Sequence, residues 1–165
     1  MKAAVIGAGE ESLHTIEKAQ EYGLIVIALD GNPEAAGLRK ADVPLAVDIS
    51  DEEAVVRALA EQSPDFILTA PVGRYLTATG AANDALGLPG ISREMAVWCT
   101  DKFLFHKKLE EHGLRHARCY DVEDATPVDL AGKRYAGCAG AETELPLRFP
   151  AVLKPRYGSG SRGIH

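Results

Sequence analysis

Apolar residues in the first third of the chain come in short unbroken runs. KAAVIGAG (2–9) runs into a glycine turn, and LIVIALD (24–30), PLAVDIS (44–50) and DFILTAP (65–71) repeat the pattern. A run without polar alternation is the signature of a strand covered on both faces. Between the runs, Leu13, Ile16, Ala19, Gln20 and Gly23 follow helical spacing, and DEEAVVRALAEQ (51–62) predicts a second helix. Ser50 is its expected N-cap, with Glu53 three residues on at the capping-box position. Strands alternating with helices of this length predict an α/β fold. Residues 1–92 are expected to form a Rossmann-like domain with a parallel sheet of four or five strands, helices on both faces and right-handed crossovers.

After ALGLPGIS (85–92), a turn containing Pro89 and Gly90, the pattern changes. Residues 93–115 predict a helical linker in two pieces. Thr100 is the expected N-cap of DKFLFHKKLEEHG, and Gly113 its C-terminal stop. Over 116–165, HARCYDV and FPAVLK (149–154) look like strands, with a Gly-, Pro- and Ala-rich loop between them. A second, α+β domain is expected to begin here and to be unfinished at residue 165.

Composition adds little to the fold and more to the surroundings. Of 165 residues 46% are hydrophobic and 25% charged, and the net charge is −6. That balance makes a nucleic-acid or anionic-membrane partner unexpected, although Lys154, Arg156 and Arg162 could form a local basic patch. Met1-Lys2 leads directly into a strand instead of a signal peptide, and no apolar run reaches the roughly 18 residues of a membrane span. The cytoplasm is the expected compartment. Cys99, Cys119 and Cys138 have neither disulfide-framework nor zinc-site spacing, so they are expected to be buried free thiols.

Three features could carry chemistry. GAGEES (7–12) is a glycine turn between strand and helix, and Asp30 closes the second strand where dinucleotide enzymes keep a ribose-binding carboxylate. Ser12 stands where that fingerprint needs its third glycine, so a fold-determining turn is the simpler reading. Lys102 lies in the first turn of a helix, where an exposed cation opposes the helix dipole unless an anion sits beside it. Finally, Lys154 ends an apolar run and is followed by Gly158, Ser159, Gly160, Ser161 and Gly163. Such a loop can bring backbone N–H groups close to a phosphate. Because the lysine precedes the glycines, this is not the Walker arrangement. Arg74, after APVG at a strand's carboxyl end, is a candidate for a substrate carboxylate or a structural ion pair. His14, His106, His112 and His116 lack the spacing of a metal site. Catalytic residues are not assigned.

The segments GISREMAVWCTDKFLFHKKLEEHGLRHARCY and FPAVLKPRYGSGSRGI resemble the ATP-grasp superfamily, in its carbamoyl-phosphate-synthase-like, biotin-carboxylase-like and purine-ligase-like branch. The N-terminal third is similar to the domain preceding ATP-grasp in those enzymes. The resemblance implies that Lys102 and Lys154 contact ATP and that Gly158, Ser159, Gly160, Ser161 and Gly163 form the loop closing over its triphosphate. It further implies an ATP-dependent carboxylate–amine ligase acting through an acyl phosphate, with small-molecule carboxylate and amine substrates and a homo-oligomeric state. Two Mg2+ ions would assist, held by residues downstream of the glycine loop. On this reading the chain is an N-terminal portion and inactive alone. A catalytically inactive binding or interaction module and an NAD-binding oxidoreductase or sensor domain are the alternatives.

Overall fold

The computed structural model describes residues 1–70, 73–114, 117–123, 126–129, 132 and 151–158. Four of the predicted apolar runs form strands: β1 (Lys2–Ile6), β2 (Ile25–Asp30), β3 (Val43–Ala46) and β4 (Phe66–Leu68). They make one parallel sheet in the order β3-β2-β1-β4. Pro44 is tolerated because β3 lies at an edge, where a strand can lack a donor on its outer side.

Period-two alternation divides each central strand between two cores. Ala4 and Ile6 of β1 and Ile27 and Leu29 of β2 pack with Val55 and Leu59 of α2 (Glu52–Gln62) and Ala78 and Ala82 of α3 (Leu76–Leu86). On the other face, Val5, Val26 and Ala28 pack with Ile16 and Ala19 of α1 (Leu13–Glu21). Both faces are therefore covered, as the unbroken apolar runs require. Each fully buried Ile or Leu contributes about 1.5–3 kcal/mol, so these two clusters dominate the stability of the sheet.

The cap of α2 differs from expectation by one residue. Asp51, not Ser50, is the N-cap, its Oδ1 accepting the Ala54 N–H at 3.0 Å. Ser50 instead donates both its N–H and its hydroxyl to Asp48. A carboxylate at the cap also meets the positive end of the helix dipole, which a hydroxyl answers less well. Asp51→Ala is expected to cost about 1 kcal/mol, read as a lower thermal midpoint; an unchanged midpoint would show the cap to be idle.

The chain divides into two compact units, Met1–Val97 and Trp98–His165. After the glycine turn at 87, α4 (Arg93–Thr100) forms the first predicted helical piece and contains the division between the units. Within the second unit, α5 (Lys102–Glu111) is capped by Asp101 instead of the expected Thr100. It stops where predicted, with the Gly113 N–H donating to Glu110 O and the Leu114 N–H to Leu109 O. β5 (Tyr120–Glu123) pairs antiparallel with β6 (Thr126–Asp129). β6 falls inside a stretch expected to be loop; Pro127 and the neighbouring Gly and Ala residues hide it, since proline argues against any but an edge strand.

The strand expected over 149–154 is not formed at residues 151–154, which carry no strand pairing. Val152 is 63% exposed and Leu153 60%. A strand exists only through a ladder partner, and none of the described residues supplies one there. Among the described residues no helix is long and apolar enough to cross a membrane.

Candidate functional site

The second unit is organised around one buried carboxylate. Asp101 is 2% exposed, and its Oδ1 accepts the N–H groups of Phe103 and Leu104 at 3.0 Å each, which caps α5. The same carboxylate takes the guanidinium of Arg156. Nε lies 2.9 Å from both oxygens and Nη2 2.8 Å from Oδ2, the planar fork that arginine is shaped to give. The Tyr157 hydroxyl donates to Oδ2 at 3.0 Å. The remaining terminal nitrogen of Arg156, Nη1, pairs with Asp121 of β5, and the guanidinium carbon lies 5.3 Å from the centre of the Phe103 ring.

Charge states follow from these contacts. Burial pushes the Asp101 carboxyl up, but hydrogen bonds from Arg156, the Leu104 N–H and Tyr157, with the Arg156 charge, outweigh it and hold the carboxyl below its ordinary value. The hydrogen bond to Asp101 raises Arg156, which stays charged against the opposing effect of burial. Tyr157 is raised, chiefly because its hydroxyl is committed to Asp101. Two carboxylates face one guanidinium, and each of its three nitrogens is engaged by one of them, which leaves one N–H on each terminal nitrogen.

Lys102 follows Asp101 directly and is half-buried, not exposed as expected. Its backbone N–H donates to Arg156 O at 3.3 Å. Its Nζ donates to Gly158 O at 2.8 Å and approaches Arg156 O at 3.4 Å. These carbonyls supply the partial negative charge that a cation at a helix start needs. Gly158 has φ +115°, and a Cβ built there would meet nothing within 4 Å, so the start of the loop is open as well as glycine-dependent. The structure thus brings together Lys102 and Gly158, two residues 56 apart in sequence.

Lys154 is exposed, and its ammonium has no hydrogen-bond or ion-pair partner among the described residues. Its charge is felt at Cys119, where burial first and the Asp121 carboxylate next push the thiol up, against the pull of Lys154 and Arg156. A raised thiol pKa makes Cys119 a poor nucleophile at neutral pH. Ser159, Gly160, Ser161 and Gly163 lie outside the described residues, as does Cys138. Cys99 is exposed and Cys119 half-buried, and both are free. Their expected burial is therefore wrong: Cys99 falls on an outer face of α4, where a small apolar residue carries no burial signal of its own.

In the first unit the glycine turn proves to be a structural knot. The Gly7 N–H donates to Leu29 O at 2.8 Å, the Ser12 hydroxyl to Gly7 O at 2.6 Å, and the Ala8 N–H to Asp30 Oδ2 at 2.8 Å. Asp30 Oδ1 accepts the Asn32 N–H. Both oxygens of the carboxylate considered for ribose are thus engaged in holding turns. Gly73–Tyr75 forms a 3-10 turn; the side chain of Arg74 is outside the described set. Among the described residues no group of three or more His, Cys, Asp or Glu could hold a metal ion.

Asp101, Asp121, Arg156 and Tyr157 were not singled out as a site by sequence reasoning. One signal was available: an Asp directly before a helix-start lysine is a cap candidate. Its pairing with an arginine 55 positions away is not visible in one sequence.

No family model matches the chain. Among curated relatives, the formate-dependent phosphoribosylglycinamide formyltransferase of Prochlorococcus marinus is 33% identical over 163 residues, covering 98% of this chain and 39% of that protein. The enzyme of the same name from Janthinobacterium sp. is 25% identical over 166 residues, covering 98% and 37%. The chain matches the N-terminal portion of ATP-grasp enzymes. Solved structures show the same fold. L-amino acid ligase from Bacillus licheniformis superposes with a TM-score of 0.62 at 22% identity, over 95% of this chain and 37% of that one. Phosphoribosylglycinamide synthetase from Anaerococcus prevotii gives 0.64 at 22% identity, over 74% and 32%. The chain thus spans well under half the length of these ATP-grasp proteins.

Proposed function

We propose that this chain is the N-terminal part of an ATP-dependent ATP-grasp ligase, and that Lys102, Lys154 and the loop beginning at Gly158 hold the phosphates of ATP. The observation that carries the proposal is the 2.8 Å contact between Lys102 Nζ and Gly158 O, which sets the first lysine against the root of the glycine loop. An ammonium has three N–H donors. Two are directed at backbone carbonyls here, so that among the described residues Lys102 keeps one donor and Lys154 all of its own. Two ammonium groups beside a loop that admits close backbone approach fit a polyphosphate by charge and shape.

Bound ATP would supply a transferable phosphoryl group, which in this proposal activates a small-molecule carboxylate as an acyl phosphate for attack by an amine. This chain's residues bind and orient. Lys102 and Lys154 offset phosphate charge, and the loop from Gly158 through Ser159, Gly160, Ser161 and Gly163 covers it. Arg74 remains a candidate for the substrate carboxylate. Magnesium ligands are proposed to lie outside this chain, as is the remainder of the nucleotide pocket, and the parent enzyme is proposed to be a homo-oligomer. The domain bounds proposed are 1–92, a linker at 93–115, and the start of the ATP-binding subdomain at 116–165.

Titration of the chain with ATP, followed by NMR chemical shifts, tests this. A dissociation constant on the order of millimolar is expected, equivalent to about 4 kcal/mol. Lys102→Met is expected to weaken binding about fivefold, because a half-exposed charged hydrogen bond is worth about 1 kcal/mol. Equal affinity of the variant and the unsubstituted chain would remove Lys102 from the site. A micromolar constant would mean that the pocket is complete within these residues.

A further inference from the structure

The sequence offers Arg156 as one of three basic residues next to a phosphate-type loop, and the simplest assignment would make it another phosphate ligand. Its geometry commits it elsewhere, since each of its three nitrogens already meets a carboxylate. Nε and Nη2 are taken by Asp101, Nη1 by Asp121, and one face of the guanidinium lies over Phe103. The three partners come from two elements. Asp101 and Phe103 stand at the start of α5, and Asp121 is on β5. The guanidinium therefore ties the segment entering the glycine loop to the helix that carries Lys102 and to the hairpin.

The backbone of the same residue completes the connection. The carbonyl of Arg156 accepts the Lys102 N–H, and two residues later the Gly158 carbonyl meets Lys102 Nζ. Besides these bonds the Tyr157 hydroxyl, on Asp101 Oδ2 at 3.0 Å, is the further anchor that the described residues give 155–158. Val152 and Leu153 just before are exposed, Gly158 brings no side chain, and no strand ladder holds the segment. We propose that Arg156 is a positioning residue, one that fixes the root of the glycine loop against Lys102 through the planar fork to Asp101 and the second bond to Asp121. The proposal rests on the nucleotide reading above for the purpose of that placement, although not for the placement itself. Fixing the loop root before the anion arrives reduces the ordering cost of binding, so the contribution appears as phosphate affinity without contact with phosphate.

The test uses the full chain with Arg156→Met and Arg156→Lys, and two readouts. The first is the Gly158 amide resonance without ligand. Arg156→Met is expected to shift it in the same direction as Lys102→Met, with the Trp98 emission of the folded unit retained. An unmoved Gly158 resonance overturns the proposal whatever happens with ATP. The second is affinity for ATP by chemical-shift titration. Arg156→Met is expected to weaken it about threefold to fivefold, and Arg156→Lys to weaken it equally, because lysine keeps the charge but cannot form the fork. Full affinity in Arg156→Lys would show that charge alone matters and would overturn the positioning role, as would unchanged affinity in Arg156→Met. If the unsubstituted chain binds no ATP, the nucleotide reading falls instead, and the Gly158 resonance still decides whether Arg156 anchors the loop.

Discussion

Replacing Gly80 by alanine is expected to lower the stability of the first unit by about 2 kcal/mol, although alanine is the better helix former. Gly80 lies inside α3, where the exchange would ordinarily stabilise by about 1 kcal/mol. The added Cβ, however, would stand 2.6 Å from Arg93 Cα, 2.6 Å from Arg93 N and 2.6 Å from Ser92 O. All three are backbone atoms, so no side-chain rotation relieves the clash, and α3 must move away from the segment that opens α4. Overpacking of this kind costs about 1–3 kcal/mol and more where the backbone must shift. Further bonds at the same contact would be disturbed: Asn83 Nδ2 to Ile91 O at 2.9 Å, Arg93 N to Asp84 at 2.9 Å, and Arg93 Nε to Glu52 at 2.6 Å. The net loss corresponds to roughly 8 °C in thermal midpoint. Gly9→Ala is the control, since a Cβ there meets nothing within 4 Å and its φ is ordinary, so its midpoint should stay close to that of the parent. A Gly80→Ala protein as stable as the parent would show that α3 and α4 are free to separate.

That pair of glycines also marks the boundary of what the sequence discloses. GAGEES draws attention because glycine turns after a first strand are familiar, yet Gly9 has open space around it, while the glycine under the tightest constraint lies within LTATGAANDAL and has no local signal. Hydrophobic runs are a local property, so β1, β2, β3, β4 and the helices between them were legible from the chain alone. β6 was obscured by Pro127, and 151–154 was overestimated, because an apolar run shows willingness to be a strand and not the presence of a partner. The same division holds for the site. Lys102 and the glycine loop were visible through a recognisable order of residues. The Asp101–Arg156–Asp121 cluster that joins them was not, since each of its side chains is ordinary where it stands and acquires meaning only through contacts 35 and 55 residues apart.

Asp101→Ala is expected to be the most damaging change in the second unit, at about 2–4 kcal/mol. Losing an N-cap carboxylate costs about 0.5–2 kcal/mol. The substitution also strands the Arg156 charge; breaking a fully buried pair costs about 3–5 kcal/mol, and that figure is reduced here because the Arg156 side chain is 32% exposed and keeps Asp121. Asp101→Asn should cost less, because asparagine still caps a helix, yet it removes the charge. The two variants therefore separate the cap from the ion pair, and pH separates them again. The Asp101 carboxyl is held below its ordinary value in the folded protein, so its contribution is present in full above the unfolded value of about 3.9 and disappears as pH falls through the lower, folded value. Stability of the second unit should thus fall below about pH 4 in the parent protein, and Asp101→Asn should lack that component while starting lower at neutral pH. The chain's one tryptophan, Trp98, lies in this unit with Lys108 Nζ 4.2 Å from its ring centre, so its emission reports on the right part of the molecule. The lowered carboxyls of Asp42, Asp48 and Glu52 lie in the first unit. Parallel acid profiles for the parent and Asp101→Asn by Trp98 emission would mean that Asp101 is not the carboxylate that holds this unit together.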